Sequence, residues 1–469
     1  MARRPETLHL GAFLYPGGHH VAAWRHPSAQ ADAGVNAAHY WQLARTAEAA
    51  KFDLLFLADG VSIRGDDIDA LSRTAIRYVG QFEPLTLLSH LAAVTERIGL
   101  VATASTTYNE PFHVARKFAS LDHLSDGRAG WNLVTSADPR EAYNFGRDSH
   151  LAHARRYGRA EEFVDVVTGL WDTFADDAFV RDTGAGRFFD PDKLYVLGHE
   201  GEHFSVRGPL NVPRPPQGHP VIVQAGSSEA GRALAARTAE IVFTAQATLA
   251  DAQAFYADLK GRMARHGRAP EALKILPGAF LVVAPTEAEA QDKYGQLQEL
   301  IHPVVGRSLL EQLSGADLSA YPDDAQVPDL PETNGGKSRQ ELLLTMARRE
   351  GLTIRELYLR IAGARGHWTL VGTPVQIADA LEERFQAYGA DGFNIMPPTL
   401  PGGLEDFASL VIPELQRRGL FRSEYAGTTL RDHLGLRRPP HRRPAPAGRA
   451  AAESSRRPPA PARHPRLTP

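Results

Sequence analysis

Residues 15–27 read YPGGHHVAAWRHP, a stretch that carries three histidines, a tryptophan and an arginine. Imidazoles at such density serve as metal ligands, as general acids and bases, or as hydrogen-bond partners of a bound substrate. Metal ligation fits worst. His19 and His20 are adjacent, and neighbouring side chains diverge in extended backbone; no HExxH, HxH or carboxylate-bridged cluster stands at a strand end. The chain has no cysteine, which removes thiolate nucleophiles, disulfides, iron–sulfur clusters and cysteine zinc sites. It also lacks the G-x-S-x-G elbow that a serine hydrolase of the common type requires.

A different chemistry is written in QAGSSEAGRALAAR, residues 224–237. A glycine-serine-serine turn opening a helix presents free backbone N–H groups, the positive end of the helix dipole and two hydroxyls, which together suit an anion such as phosphate. Simple N-capping by Ser227 or Ser228 would account for the same residues. The stretch HLAHARRYGRAEEF, residues 150–163, favours the anion site. His153 and Tyr157 are four apart and share one helix face.

These residues need elements to hold them. Eight apolar strand candidates run along the chain: 8–15, 53–59, 98–106, 129–136, 221–226, 240–246, 276–284 and 392–398. Amphipathic stretches such as 40–52, 84–96, 114–125 and 249–267 separate them. Eight alternating units with right-handed crossovers most simply close into a (β/α)8 TIM barrel. An open doubly wound sheet would want a glycine-rich dinucleotide fingerprint after the first strand, and GGHH is not one. In a barrel the helix that starts near His153 packs beside the fifth strand, which brings His153 and Tyr157 to the Gly-Ser-Ser turn. Polar residues at the other strand ends then share the mouth: Asp59, Thr103, Ser105, Asn132, Thr135 and Ser136.

Two insertions interrupt the rhythm, at about 175–220 after the fourth unit and 304–366 after the seventh. Both are expected over the mouth as lids. Residues 1–436 thus form one barrel domain. Residues 437–469 hold nine prolines and nine arginines against one glutamate, a composition expected to be disordered. With an overall formal charge of −3, the folded body is therefore acidic and not expected to bind nucleic acid. No apolar run of about 18 residues is present, and the basic start lacks a small-residue cleavage site; a soluble, cytoplasmic protein without a membrane partner is expected.

At this point the motifs GHHVAAWRHP, FLADG, ATASTTYNEPFHVARKFASLDHLSDGRAGWNLVTS, RYGRAEEF, QAGSS, GTPVQIADALEERF and DGFNIMPPTLPGGLEDF can be taken together. The chain resembles the luciferase-like, flavin-dependent monooxygenases of the nitrilotriacetate monooxygenase component A class, from about residue 7 to 436. The resemblance implies that FMN, reduced by a separate NAD(P)H-dependent flavin reductase, binds at the mouth and reacts with O2 through a flavin hydroperoxide to oxygenate a small organic substrate. It implies phosphate contacts from Ser228, with Ser227, His153 and Tyr157. It also implies an isoalloxazine lined by Asp59, Thr103 or Ser105, and Asn132; residues 103 and 105 share a strand face, so both can line it. The first loop then lies over flavin and substrate, with His20 or His19 as the catalytic hydrogen-bond donor and Trp24 as a wall. Arg25 and Arg365 would be the arginines available to an aminopolycarboxylate. A homodimer is implied as well. Two rival readings remain: a deazaflavin-dependent oxidoreductase on the same barrel, and a flavin-binding barrel without catalysis.

Overall fold

The computed structural model describes residues 4–330 and 337–442. Its centre is a closed parallel barrel. The strands are β1 (His9–Phe13), β2 (Leu54–Leu57), β3 (Gly99–Ser105) and β4 (Ala129–Val134). After a small antiparallel hairpin, β5 (His199–Glu200) and β6 (Ser205–Val206), come β7 (Val221–Ala225), β8 (Ile241–Thr244), β9 (Lys274–Val283), β10 (Trp368–Gly372) and β11 (Gly392–Met396). The order β9-β11-β1-β2-β3-β4-β7-β8, with β8 returning to β9, closes the ring. All eight expected strands are in it.

Period-two alternation sorts each strand between two cores. On β2, Leu54 and Phe56 point into the barrel, whereas Leu55 and Leu57 face the surrounding helices. On β3, Val101 belongs to the inner cluster while Leu100 and Ala102 belong to the outer one. Thr103 and Ser105 continue the inward phase of Val101. The amino-terminal end of the barrel is stoppered by the short helix Leu430–Leu434, whose Leu430 and Leu434 are fully buried among the inner residues. Gly99 makes that fit possible, because a Cβ there would run into the Leu430 side chain; at Gly130 a Cβ would strike Val101 first and only touch Leu430.

One strand was not foreseen. β10 pairs with the second half of β9 (Trp368↔Ala279 to Gly372↔Val283), on the edge that β8 occupies along the first half (Ile241↔Lys274 to Thr244↔Pro277). The ten-residue β9 therefore outruns β8 and carries a ninth strand above it. WTLVG is short and does not alternate polar with apolar residues, and all but its last residue remain partly exposed, so the sequence offered little strand signal.

The two insertions part company. The described residues of 304–366 build a helical layer of Pro303–Ser314, Lys337–Glu350 and Ile354–Ile361 with its own apolar core, and residues of this layer border the mouth. Residues 175–220 do not border the mouth. They follow the helix His153–Trp171, which returns the chain to the opposite end of the barrel, where Gln217 bonds the Asp122 carboxylate and the Ala129 carbonyl at the start of β4. Their hairpin β5–β6 is tied instead to the side of that helix through Glu162, which accepts from the backbone N–H groups of His203 and Phe204. Of the tail, residues 437–442 lie against the body: Arg438 pairs with Asp176, Arg214 donates to the Pro439 carbonyl and His441 donates to that of Asp172. Residues 443–469, where the remaining expectation of disorder falls, lie outside the described residues.

Candidate functional site

A cavity of about 1770 Å³ opens above the carboxyl ends of the strands. Its floor is aromatic. Phe13, Phe56 and Phe243 meet edge-on or tilted, with centroids 4.9–5.5 Å apart, and His367 stacks on Phe243 at 4.9 Å. Phe13, Phe243 and His367 border the cavity and Phe56 packs beneath them, so this floor is largely apolar.

One end of the cavity gathers hydrogen-bond donors around a helix N-terminus. Gly226 turns the chain out of β7 with φ +143, a conformation that favours glycine, and a Cβ there would meet nothing closer than the Tyr157 hydroxyl at 4.0 Å. Ser228 caps the helix Glu229–Thr238, accepting from Gly231 N at 3.2 Å, and its hydroxyl stands 3.4 Å from that of Tyr157. Ser227 bonds Thr244 Oγ1 at 2.9 Å. His153 packs on Tyr157 with centroids 4.8 Å apart, one turn earlier on the helix. Ser228 caps the helix, and its hydroxyl, with those of Ser227 and Tyr157, also borders the cavity beside the helix N-terminus. The sequence did not point to Arg156, which is buried, borders the cavity and donates to the Leu151 carbonyl at 2.6 Å. The donor set suits a phosphate monoester.

The long wall carries the remaining expected residues. Thr103 and Ser105 both border the cavity. Asn132 stands behind them: its amide donates to Thr103 Oγ1 at 2.7 Å, Thr103 donates to the Leu57 carbonyl at 2.8 Å, and Asn132 Oδ1 is buried without a hydrogen-bond partner. Asn132 is absent from the cavity lining and reaches it through Thr103. Ser105 bonds Ser136 at 2.8 Å, and Ser136, held in the left-handed region at φ +59, donates to Glu141. Non-glycine residues adopt that conformation at some cost, often at functional sites. Asp59 closes the wall. Burial, reinforced by the nearby Glu83 and Glu141 carboxylates, pushes its carboxyl up to about 7. Burial likewise raises Glu141.

The histidine loop departs from expectation. His19 and His20 are fully buried, and neither borders the cavity. Gly18, at φ +119, packs so tightly that a Cβ would strike the Pro398 carbonyl, and His19 N and His20 N bond the Pro397 and Pro398 carbonyls. That turn swings both imidazoles beneath the surface. His19 Nε2–H donates to the Phe13 carbonyl at 2.9 Å, while Nδ1 accepts from Arg365 at 2.6 Å. Burial and the Arg365 cation hold its pKa well below the usual imidazole value, in keeping with this neutral tautomer. His20 is pushed down to about 4, chiefly by burial. Trp24 and Arg25 also lie off the cavity; they bond the carbonyls of Arg73 and Leu300. Of the two arginines considered, Arg365 alone faces the site, anchored by His19.

The luciferase-like monooxygenase family matches residues 18–392. The chain is 55% identical over 445 residues to N-acetyl-S-(2-succino)cysteine monooxygenase of Bacillus subtilis (strain 168), covering 94% of this chain and 99% of that one. It is 54% identical to nitrilotriacetate monooxygenase component A of Aminobacter aminovorans, covering 92% and 97%. A riboflavin lyase solved with modified FMN and riboflavin superposes with a TM-score of 0.83 at 32% identity, covering 92% and 96%.

Proposed function

Since the chain belongs to the luciferase-like monooxygenase family, we propose that it is the oxygenase component of a two-component system, using FMN reduced by a separate NAD(P)H-dependent reductase, with O2, to oxygenate a small organic substrate. The observation that carries this reading is the cluster of donors at the helix N-terminus, opening into a cavity with an apolar floor: Ser227, Ser228, Tyr157, His153 and Arg156 would hold the flavin phosphate. Asp59, Thr103 and Ser105 would line the ring, with Asn132 orienting Thr103. When bound, the reduced flavin supplies the electrons that activate O2.

The protein's share is exclusion and proton control. The phenylalanine floor and the helical lid shield the reacting atoms from water. Asp59 keeps a proton to about neutrality and can deliver it into the cavity. The hydroxyl chain Ser105–Ser136–Glu141 offers a second store of protons along the same wall. No nucleophile is needed, which accords with the lack of a hydrolytic motif. A homodimer completes the reading, and sedimentation velocity tests that part.

The test of the whole is anaerobic addition of photoreduced FMN to the protein, followed by isotopically labelled O2 and a panel of substrates. Saturable flavin binding, and one labelled oxygen atom in a product, are expected. Substrate oxidation without O2, or with a reduced deazaflavin alone, would overturn it in favour of a dehydrogenase. Flavin binding with no turnover of any substrate would favour a binding barrel.

A further inference from the structure

Three guanidiniums border one side of the cavity, away from the proposed phosphate site: Arg64 and Arg77 from the loop after β2, and Arg365 from the end of the lid. Arg64 lies over the Tyr78 ring at 4.5 Å and Arg365 over the Tyr15 ring at 5.1 Å, and the two tyrosine hydroxyls meet at 3.2 Å. Arg77 is buried; it donates to the Arg64 carbonyl at 3.1 Å and to the lid hydroxyl of Ser308 at 3.4 Å. Among the described residues neither Arg64 nor Arg77 has a carboxylate at ion-pair distance, and the Nε of each is buried without a hydrogen-bond partner. Arg140, on the same side, is different: Asp66 and Asp138 engage it fully.

Buried like charges are costly unless an anion answers them. Burial and repulsion by Arg64 and Arg140 push Arg77 down to about 10, still charged at neutrality. Glu141 and Asp138 favour the Arg64 cation and Asp67 and Glu311 that of Arg77, but from beyond ion-pair distance, and the proposed flavin phosphate lies at the β7 end; among the described residues no carboxylate engages either fork directly. Planar guanidinium forks match carboxylates in shape as well as charge. We propose that Arg64, Arg77 and Arg365 form a carboxylate-recognition subsite, and that the substrate is a small organic acid carrying two or more carboxylates. This rests on the monooxygenase reading above. In this arrangement His19 is a positioning residue: it fixes the Arg365 fork through its Nδ1 and its carbonyl, at 2.6 and 2.8 Å.

The probes are butyrate, succinate, propane-1,2,3-tricarboxylate and the corresponding triamide. Each is titrated calorimetrically into the full-length protein, with and without reduced FMN under anaerobic conditions. Affinity is expected to rise with carboxylate number, and the triamide is expected not to bind. Arg64→Gln and Arg77→Gln should each weaken the tricarboxylate about ten-fold or more, with Arg64→Lys recovering part of the loss. Flavin affinity, read by fluorescence quenching, should stay within about two-fold, which also shows the variants are folded. Triamide binding as tight as the acid, unchanged tricarboxylate affinity in the folded variants, or no saturable acid binding by about 10 mM overturns the proposal. Failure of the unsubstituted protein to bind FMN counts against the flavin reading instead, since the flavin-free titrations still report on the arginines.

Discussion

Ser228 caps a helix and, in the reading proposed above, binds the flavin phosphate with the same hydroxyl; substitutions at 228 and 157 together separate the two roles. Ser228→Ala removes the cap on Gly231 N, at a cost of about 1 kcal/mol of stability. It also removes an anion donor, so reduced-FMN affinity should fall about ten-fold. Tyr157→Phe should weaken the flavin similarly while leaving the melting curve in place, because its hydroxyl caps nothing. Equal flavin binding by all three proteins would reduce the serine to a cap. Asp59 makes a pH statement. Its carboxyl titrates near 7 in the folded protein but at its ordinary low value in the unfolded chain, so its contribution to stability is full in acid and is lost as pH rises through neutrality. Asp59→Asn should therefore be more stable than the parent at about pH 8, with the advantage gone at about pH 4, in paired denaturant melts. The cradle was readable in sequence because helix periodicity and strand order alone bring Ser228, His153 and Tyr157 together. The direction of His19 and His20 was not, since it turns on the φ of Gly18 and the close approach of Pro398. Arg64 and Arg77 were missed for a related reason: they sit in a long connection with no periodicity to orient them.

At the scale of elements, strands announced themselves by apolar runs and helices by their amphipathic stripes and caps. Thr373-Pro374, for example, opens its helix with a capping box completed by Gln376. The insertions were visible as breaks, yet composition could not say which end of the barrel each would cover. Element order does not separate them either, since one follows the helix His153–Trp171 and the other the helix Glu287–Glu299. The lid has its own core, in which Leu357 and Ile354 are buried with Leu309 and Leu310. Leu357→Ala should cost about 2–5 kcal/mol locally. Hydrogen exchange should then quicken across 303–361 and leave the barrel strands unchanged. Equal acceleration in β1–β4 would mean that lid and barrel unfold as one.

The molecule as a whole depends on its stopper. Leu430 enters the space that Gly99 leaves open, far from the cavity. Leu430→Ala should again cost about 2–5 kcal/mol, but the loss should appear as a global shift of the single unfolding transition, with the folded protein's flavin affinity intact. A selective loss of flavin binding with no shift in stability would contradict that division of labour between the two ends. Closure itself was legible from the count of alternating units. The stopper was not, because five residues of short helix carry too little pattern to say where they dock.

β9 outruns its neighbour, and β10 returns beside its upper half after the lid has been built. The segment between β9 and β10, which includes the helix Glu287–Glu299, thus starts and ends on the same strand, and its returning pairing lies outside the ring that closes the barrel. An excursion attached in this way is an exchangeable cassette: its length and residues can change without disturbing a single barrel register or the cradle at β7. Descent with modification can then vary the roof of the cavity while leaving its β7 end as it is, and relatives about half-identical to this chain carry the names of different substrates.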